Sequence, residues 1–156
     1  MTEPVFVDSP VLLYAIGGEH PLRAPSRAIV RAATDGRIEL HASIEAVQEV
    51  LFHRMRRGGR EEAIRAAADY LDLVVCHPLN EAVMRRSLLV VTSSQIRGRD
   101  ALHAATALAA GFNEIITSDA DFADVPGLTA ISPDLYAARL EAPRERPRSP
   151  KTYPVG

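Results

Sequence analysis

Two hydrophobic periods share this chain. Short unbroken apolar runs rich in β-branched residues read as buried strands at 4–8 (PVFVD), 38–42, 73–77, 114–117 and 128–131. Between them lie longer stretches in which apolar residues recur every three or four positions, and these predict helices. They cover 9–16, 24–34, 44 to about 55, 61–71, 81–93, 100–110 and 133–140. Pro10 suits a first helical turn, with Asp8 or Ser9 as cap, and Ser43 can cap the third helix. Glycine pairs at 17–18 and 58–59, and Gly111, mark helix ends.

Strands alternate with helices throughout, and the pattern carries no internal repeat. It predicts an α/β domain: a short, mainly parallel sheet of four or five strands flanked by helices. The periodic pattern fades after Glu141. The last residues, APRERPRSPKTYPVG, are Pro- and Arg-rich with little apolar content. The expected organisation is a folded domain over 1–141 and a disordered tail over 142–156.

The chain's 156 residues make one domain of ordinary size. The longest nearly apolar run, 101–112, is shorter than the roughly 20 residues a membrane span needs. The opening MTEPVFVDSP has no basic segment of the kind that begins a signal peptide. Cys76 stands alone, which excludes an internal disulfide and a Cys-rich zinc site and fits a reducing, cytoplasmic setting. Net charge is −2, so the whole molecule does not advertise a polyanionic partner. Every basic residue except Lys151 is arginine, a side chain suited to phosphate.

The tract 99–122, RDALHAATALAAGFNEIITSDADF, carries the chemistry. An acid, Asp100, opens an Ala-rich helix, and Asp119 and Asp121 follow the next strand. Ligands of open α/β sheets bind beyond the carboxyl ends of the strands. Asp8 lies at that edge too, so distant acids can converge there. Taken singly, Asp8 is an ordinary helix cap, Asp100 a favourable first-turn acid and Asp119 a turn former. Together they describe a site for a hard cation, since clustered carboxylates repel without one. A fourth acid is expected from the third helix, where Glu45 and Glu49 share a face and periodicity does not choose between them. His103 is expected to pack or hydrogen-bond within the fold, and the other histidines show no ligand spacing.

Four segments, VFVDSPVLLYA, SIEAVQEVLF, RDALHAATALAAG and IITSDADF, resemble those of PIN-domain proteins, and in length and layout the ribonuclease toxins (VapC) of VapBC toxin–antitoxin pairs. The resemblance implies a three-layer PIN-like fold and a Mg²⁺- or Mn²⁺-dependent endoribonuclease. It puts the acidic quartet on Asp8, Glu49, Asp100 and Asp119. Asp8, Asp100 and Asp119 would be the metal ligands; Glu49 and Asp121 would act through water. Ser9 and Thr117 would supply hydroxyl hydrogen bonds to carboxylates or substrate.

Arg54, Arg56, Arg57 and Arg60, with Arg97 and Arg99, are candidate RNA-phosphate contacts. Aromatic residues are only 5% and Trp is absent, so extensive base stacking is not expected. The family further implies a small VapB-like antitoxin and a homodimer, with Leu12, Leu13, Tyr14 and Ile16 as candidate contacts or core. One departure from the family pattern is Pro10, where an Asn usually follows Asp-Ser. That leaves a second reading, a PIN-like module that binds metal or antitoxin without cutting RNA. A haloacid-dehalogenase-like phosphatase would need a second Asp at position 10, and a receiver domain a late Lys near its acids; neither is present.

Overall fold

The computed structural model describes residues 2–142. The Pro/Arg-rich segment expected to be disordered lies, from residue 143 on, outside them.

Five parallel strands and seven helices follow one another in the expected order. β1 (Glu3–Phe6), β2 (Ile38–Ser43) and β3 (Val75–His77) form one ladder, with β2 central. β4 (Glu114–Ile116) and β5 (Thr129–Ile131) form a second. The ladders meet at a single bridge, Val7 to Ile116, where the Asp8 N–H donates to the Ile116 carbonyl at 2.9 Å. The sheet of four or five strands predicted from the pattern is thus two ladders, of three and two strands, with a seam between β1 and β4. The strand expected over 4–8 ends at Phe6, so Asp8 lies past it.

Side chains alternate across the sheet, as a pleated strand requires. Val5 and Val7 face one core and Phe6 the other; Ile116 and Ile115 divide the same way. The first core is covered by α1 (Ser9–Ile16), α2 (Arg23–Thr34), α3 (Ile44–Arg57), α4 (Arg60–Leu73) and α7 (Pro133–Glu141). The second is covered by α5 (Glu81–Ser93) and α6 (Gly98–Ala109). Three layers result. Leu12 is fully buried in the first core, so it is core and not a free contact; Leu13 and Ile16 pack partly against it.

Local differences from the pattern have local causes. α4 runs on to Leu73, its carboxyl end closed by the Val74 N–H on the Tyr70 carbonyl, so β3 starts late. α6 begins at Gly98, which puts Asp100 inside the first turn and not at the cap. A short 3₁₀ turn, Ala120–Asp124, follows β4 and was not visible as a periodic element. α6 carries fully buried Ala101, Ala104, Ala105 and Ala107, whose small side chains let the helix lie close to the sheet. It closes with Gly111 at φ +86°, the left-handed position that favours glycine, with the Phe112 N–H on the Ala107 carbonyl. Close packing of α6 carries Asp100 and His103 to the sheet edge where Asp8 lies.

Candidate active site

Asp8 caps α1, its Oδ1 accepting from the Ser9 N–H at 2.9 Å. Its Oδ2 accepts from the Thr117 hydroxyl at 2.8 Å across the seam. The same hydroxyl accepts the Asp119 N–H at 3.0 Å, so Thr117 binds one acid by its proton and orients the next by its lone pair. Asp119 caps the 3₁₀ turn, Oδ1 accepting from the Asp121 N–H at 2.9 Å. Capping and clustering are therefore not alternatives here, because each cap bond fixes a carboxylate's direction.

Two sets of oxygen and nitrogen atoms converge within 4.8 Å: Asp8, Asp100 and His103, and Asp100, Asp119 and Asp121. Asp100 belongs to both and links them. Its carboxyl is raised to about 7, first by burial, then by the charge of Asp8 and by its hydrogen bond and charge interaction with Asp119. Asp8 is also raised, by burial, against the opposing pull of the His103 charge and the bonds from Thr117 and Ser9.

The structure separates the two candidates on α3. Glu49 is buried and faces the acids; Glu45 is half-buried and takes part in none of these contacts. Both Glu49 oxygens are engaged, Oε2 by the Ser9 hydroxyl and Oε1 by His103 Nε2 at 3.1 Å. Burial pushes Glu49 up, but the bonds from His103 and Ser9 outweigh it and leave the carboxyl below its ordinary value. His103, fully buried, does hydrogen-bond within the fold: its Nδ1 lies 2.6 Å from the Ser43 hydroxyl, which also caps α3. Burial would lower it, yet the Glu49 bond and the charges of Asp8, Glu49 and Asp100 raise it. The acids around it thus favour the charged form of the imidazole. The sequence placed His103 one turn from Asp100 but held no sign that its partner is Glu49, 54 positions away.

The basic candidates divide. Arg54 and Arg57 line a cavity with Pro10, Tyr14 and His53, whereas the Arg56 guanidinium lies over the Phe52 ring at 5.5 Å from its centre. Arg97 and Arg99 flank Asp100, and the Arg99 charge helps to lower Glu49. Arg60 starts α4.

The family model described as PIN domain matches residues 5–128. The chain belongs to the PIN-domain family. Among curated PIN relatives, Ribonuclease VapC7 of Mycobacterium tuberculosis is 36% identical over 135 residues, 83% of this chain and 92% of that protein. Ribonuclease VapC23 of the same species is 31% identical over 116 residues, 74% of this chain and 92% of that one. Two solved structures share the PIN fold. VapBC2 from Rickettsia felis, bound to a DNA fragment from its promoter, superposes with a TM-score of 0.66 at 16% identity, covering 83% of this chain and 98% of that one. VapC20 of M. tuberculosis, a toxin that cleaves the sarcin–ricin loop, gives 0.62 at 17% identity, covering 75% and 91%. Among the described residues of this PIN domain, no helix is long and apolar enough to cross a membrane.

Proposed function

We propose that this PIN domain is a metal-dependent endoribonuclease, the toxin of a VapBC-type pair, with Asp8, Glu49, Asp100 and Asp119 as its acidic centre. The observation that carries the reading is that Asp100, its carboxyl raised to about 7 by burial and by the charges of Asp8 and Asp119, joins two converging groups, one with Asp8 and His103 and one with Asp119 and Asp121. The ribonuclease names of its curated relatives point the same way.

The residues present fit a divalent cation. The donors that converge on Asp100 are the carboxylates of Asp8, Asp119 and Asp121, of the kind Mg²⁺ and Mn²⁺ prefer, and the His103 nitrogen. The Nε2 of His103 is already given to Glu49, so the imidazole serves the acids and not the ion. Asp8, Asp100 and Asp119 would hold the ion, with Asp121 and Glu49 reaching it through water. When bound, such a cation supplies an acidified water and offsets charge on the phosphoryl oxygens.

The chain's own groups do the rest. Ser9 and Thr117 fix both oxygens of Asp8, so its orientation is set before substrate arrives. The turn after Asp119 fixes that carboxylate in the same way. Glu49 is kept ionised by His103 and Ser9, and the remaining lone pairs of Oε1 and Oε2 can orient a water and accept its proton. The arginines flanking Asp100 and those beyond Glu49 would draw in the phosphate backbone. The VapBC neighbours support a small VapB-like antitoxin as partner, and a homodimer is what the family resemblance implies.

The test is cleavage of structured RNA by purified protein with and without Mn²⁺, beside Asp8→Ala and Asp119→Ala. Metal-dependent cleavage by the wild type alone is expected. Equal cleavage by all three would overturn the site. Mn²⁺ binding without cleavage would favour the binding-module reading.

A further inference from the structure

We propose that the cavity between α1 and the carboxyl end of α3 is a subsite for one nucleotide of the RNA strand next to the cleaved phosphodiester, with the Tyr14–His20 ring pair as its base platform and Arg57 and Arg54 as its phosphate contacts. The inference rests on the ribonuclease reading and names where that substrate lies.

The cavity has a volume of about 340 Å³ and is lined by Pro10, Tyr14, His20, His53, Arg54 and Arg57. That volume falls within the range of sites for small ligands. Two of its lining residues, Pro10 and Tyr14, adjoin residues of the acidic centre. Pro10 follows Ser9, which binds Glu49. The Tyr14 hydroxyl lies 3.4 Å from that of Ser118, between Thr117 and Asp119. On α3, Glu49, His53 and Arg57 stand one turn apart along one face. The acid end of that row faces Asp8, and the imidazole and guanidinium lead outward along the cavity. A strand with a phosphate at the acids would run along this row toward positive charge.

The ring geometry fits a base. Tyr14 and His20 stack at 4.2 Å between centres with planes 13° apart. The His20 Nδ1 accepts the Leu22 N–H at 3.1 Å, which fixes the ring and leaves its proton on Nε2. Two rings locked in parallel offer a flat face that any base can extend. Arg54 and Arg57 face the single acid Glu19 in the lining, so the cavity favours an anion. Pro10, the departure from the family pattern, contributes an apolar wall here and no polar group to the acids.

The experiment measures binding of a short fluorescein-labelled single-stranded RNA of mixed sequence by anisotropy in EDTA, and steady-state cleavage of the same RNA with Mn²⁺. Tyr14→Ala should weaken binding by about five- to a hundred-fold, the range for loss of one stacked base. Tyr14→Phe, which keeps the ring and loses the hydroxyl, should restore it. Arg57→Ala, at an exposed position, should lower the dependence of log affinity on log salt by about one. In cleavage, the losses should appear mainly in KM. Thermal melting checks that each variant is folded. Wild-type affinity in both Tyr14→Ala and Arg57→Ala overturns the subsite while leaving the ribonuclease reading intact. So does loss of affinity for an antitoxin tail peptide with unchanged RNA affinity, since the cavity would then serve the protein partner. No binding of this RNA by the wild type overturns the subsite, and no metal-dependent cleavage of either it or the structured RNA overturns the ribonuclease reading as well.

Discussion

His103 Nε2 and Glu49 Oε1 meet at 3.1 Å, and both residues are buried. The imidazole favours the ionised carboxylate, and the carboxylate, with Asp8 and Asp100, favours the protonated imidazole. Removing one member leaves a buried charge without its partner, which costs about 3–5 kcal/mol. His103→Ala should therefore lower unfolding free energy by about 3 kcal/mol. Adding Glu49→Gln should recover part of that loss, and a double-mutant cycle from urea denaturation measures it. Additive losses would mean that the two residues act separately.

Asp100 gives the metal-free protein a pH signature. Its carboxyl is held at about 7 in the fold against an ordinary value of 3.8. Between these values the folded chain binds a proton that the unfolded chain has released. Stability of the metal-free protein should thus fall as pH rises from about 4 through about 7. A cation must displace that proton, so stabilisation by Mn²⁺ should grow over the same window. Melting with Mn²⁺ and with EDTA should show a larger difference at about pH 8 than at about pH 5. An equal difference at both would exclude Asp100 from the metal site.

Pro10 stands in the first turn of α1, where a backbone N–H has no helical partner to lose. The hydrogen bonds that orient the acids run through Asp8, Ser9, Thr117 and His103, and none through residue 10. Pro10→Asn should change the maximal rate of RNA cleavage by less than about five-fold, under about 1 kcal/mol in barrier. A large gain in single-turnover rate would show that proline had disabled the centre.

Tyr70 ties α4 to α1 through its hydroxyl, which donates to the Leu12 carbonyl at 2.6 Å. Burial pushes that phenol well above its ordinary value. Tyr70→Phe should cost about 1 kcal/mol, the net worth of one buried hydrogen bond. Its check is the midpoint of denaturation, with RNA cleavage unchanged.

Much of this architecture was legible because its signals are local. α1 and α5 begin and end where the caps and periodicity put them, at Ser9–Ile16 and Glu81–Ser93. Ser43 caps α3 as its position before the apolar run suggested. The seam between β1 and β4 was not legible, because pairing partners are set by packing and leave no mark in periodicity. The start of α6 was misjudged by two residues, since an acid is as welcome inside a first turn as at its edge. At the site, residue types and rough edge positions pointed to Asp8, Asp100 and Asp119. Helical periodicity left Glu45 and Glu49 open and the family resemblance pointed to Glu49, but its bond to His103 depends on how α3 and α6 pack against the sheet, and no spacing encodes that.

The seam has a consequence in time. Thr117 reaches Asp8 across 109 positions of chain, and Asp100 and Asp119 both follow β3. A nascent chain that has completed β3 carries Asp8 and Glu49 but neither of the later acids. The acidic centre cannot form until β4 docks against β1, when most of the domain has left the ribosome. Synthesis from the amino end thus leaves every chain that stops short of Asp119 without the full set of acids.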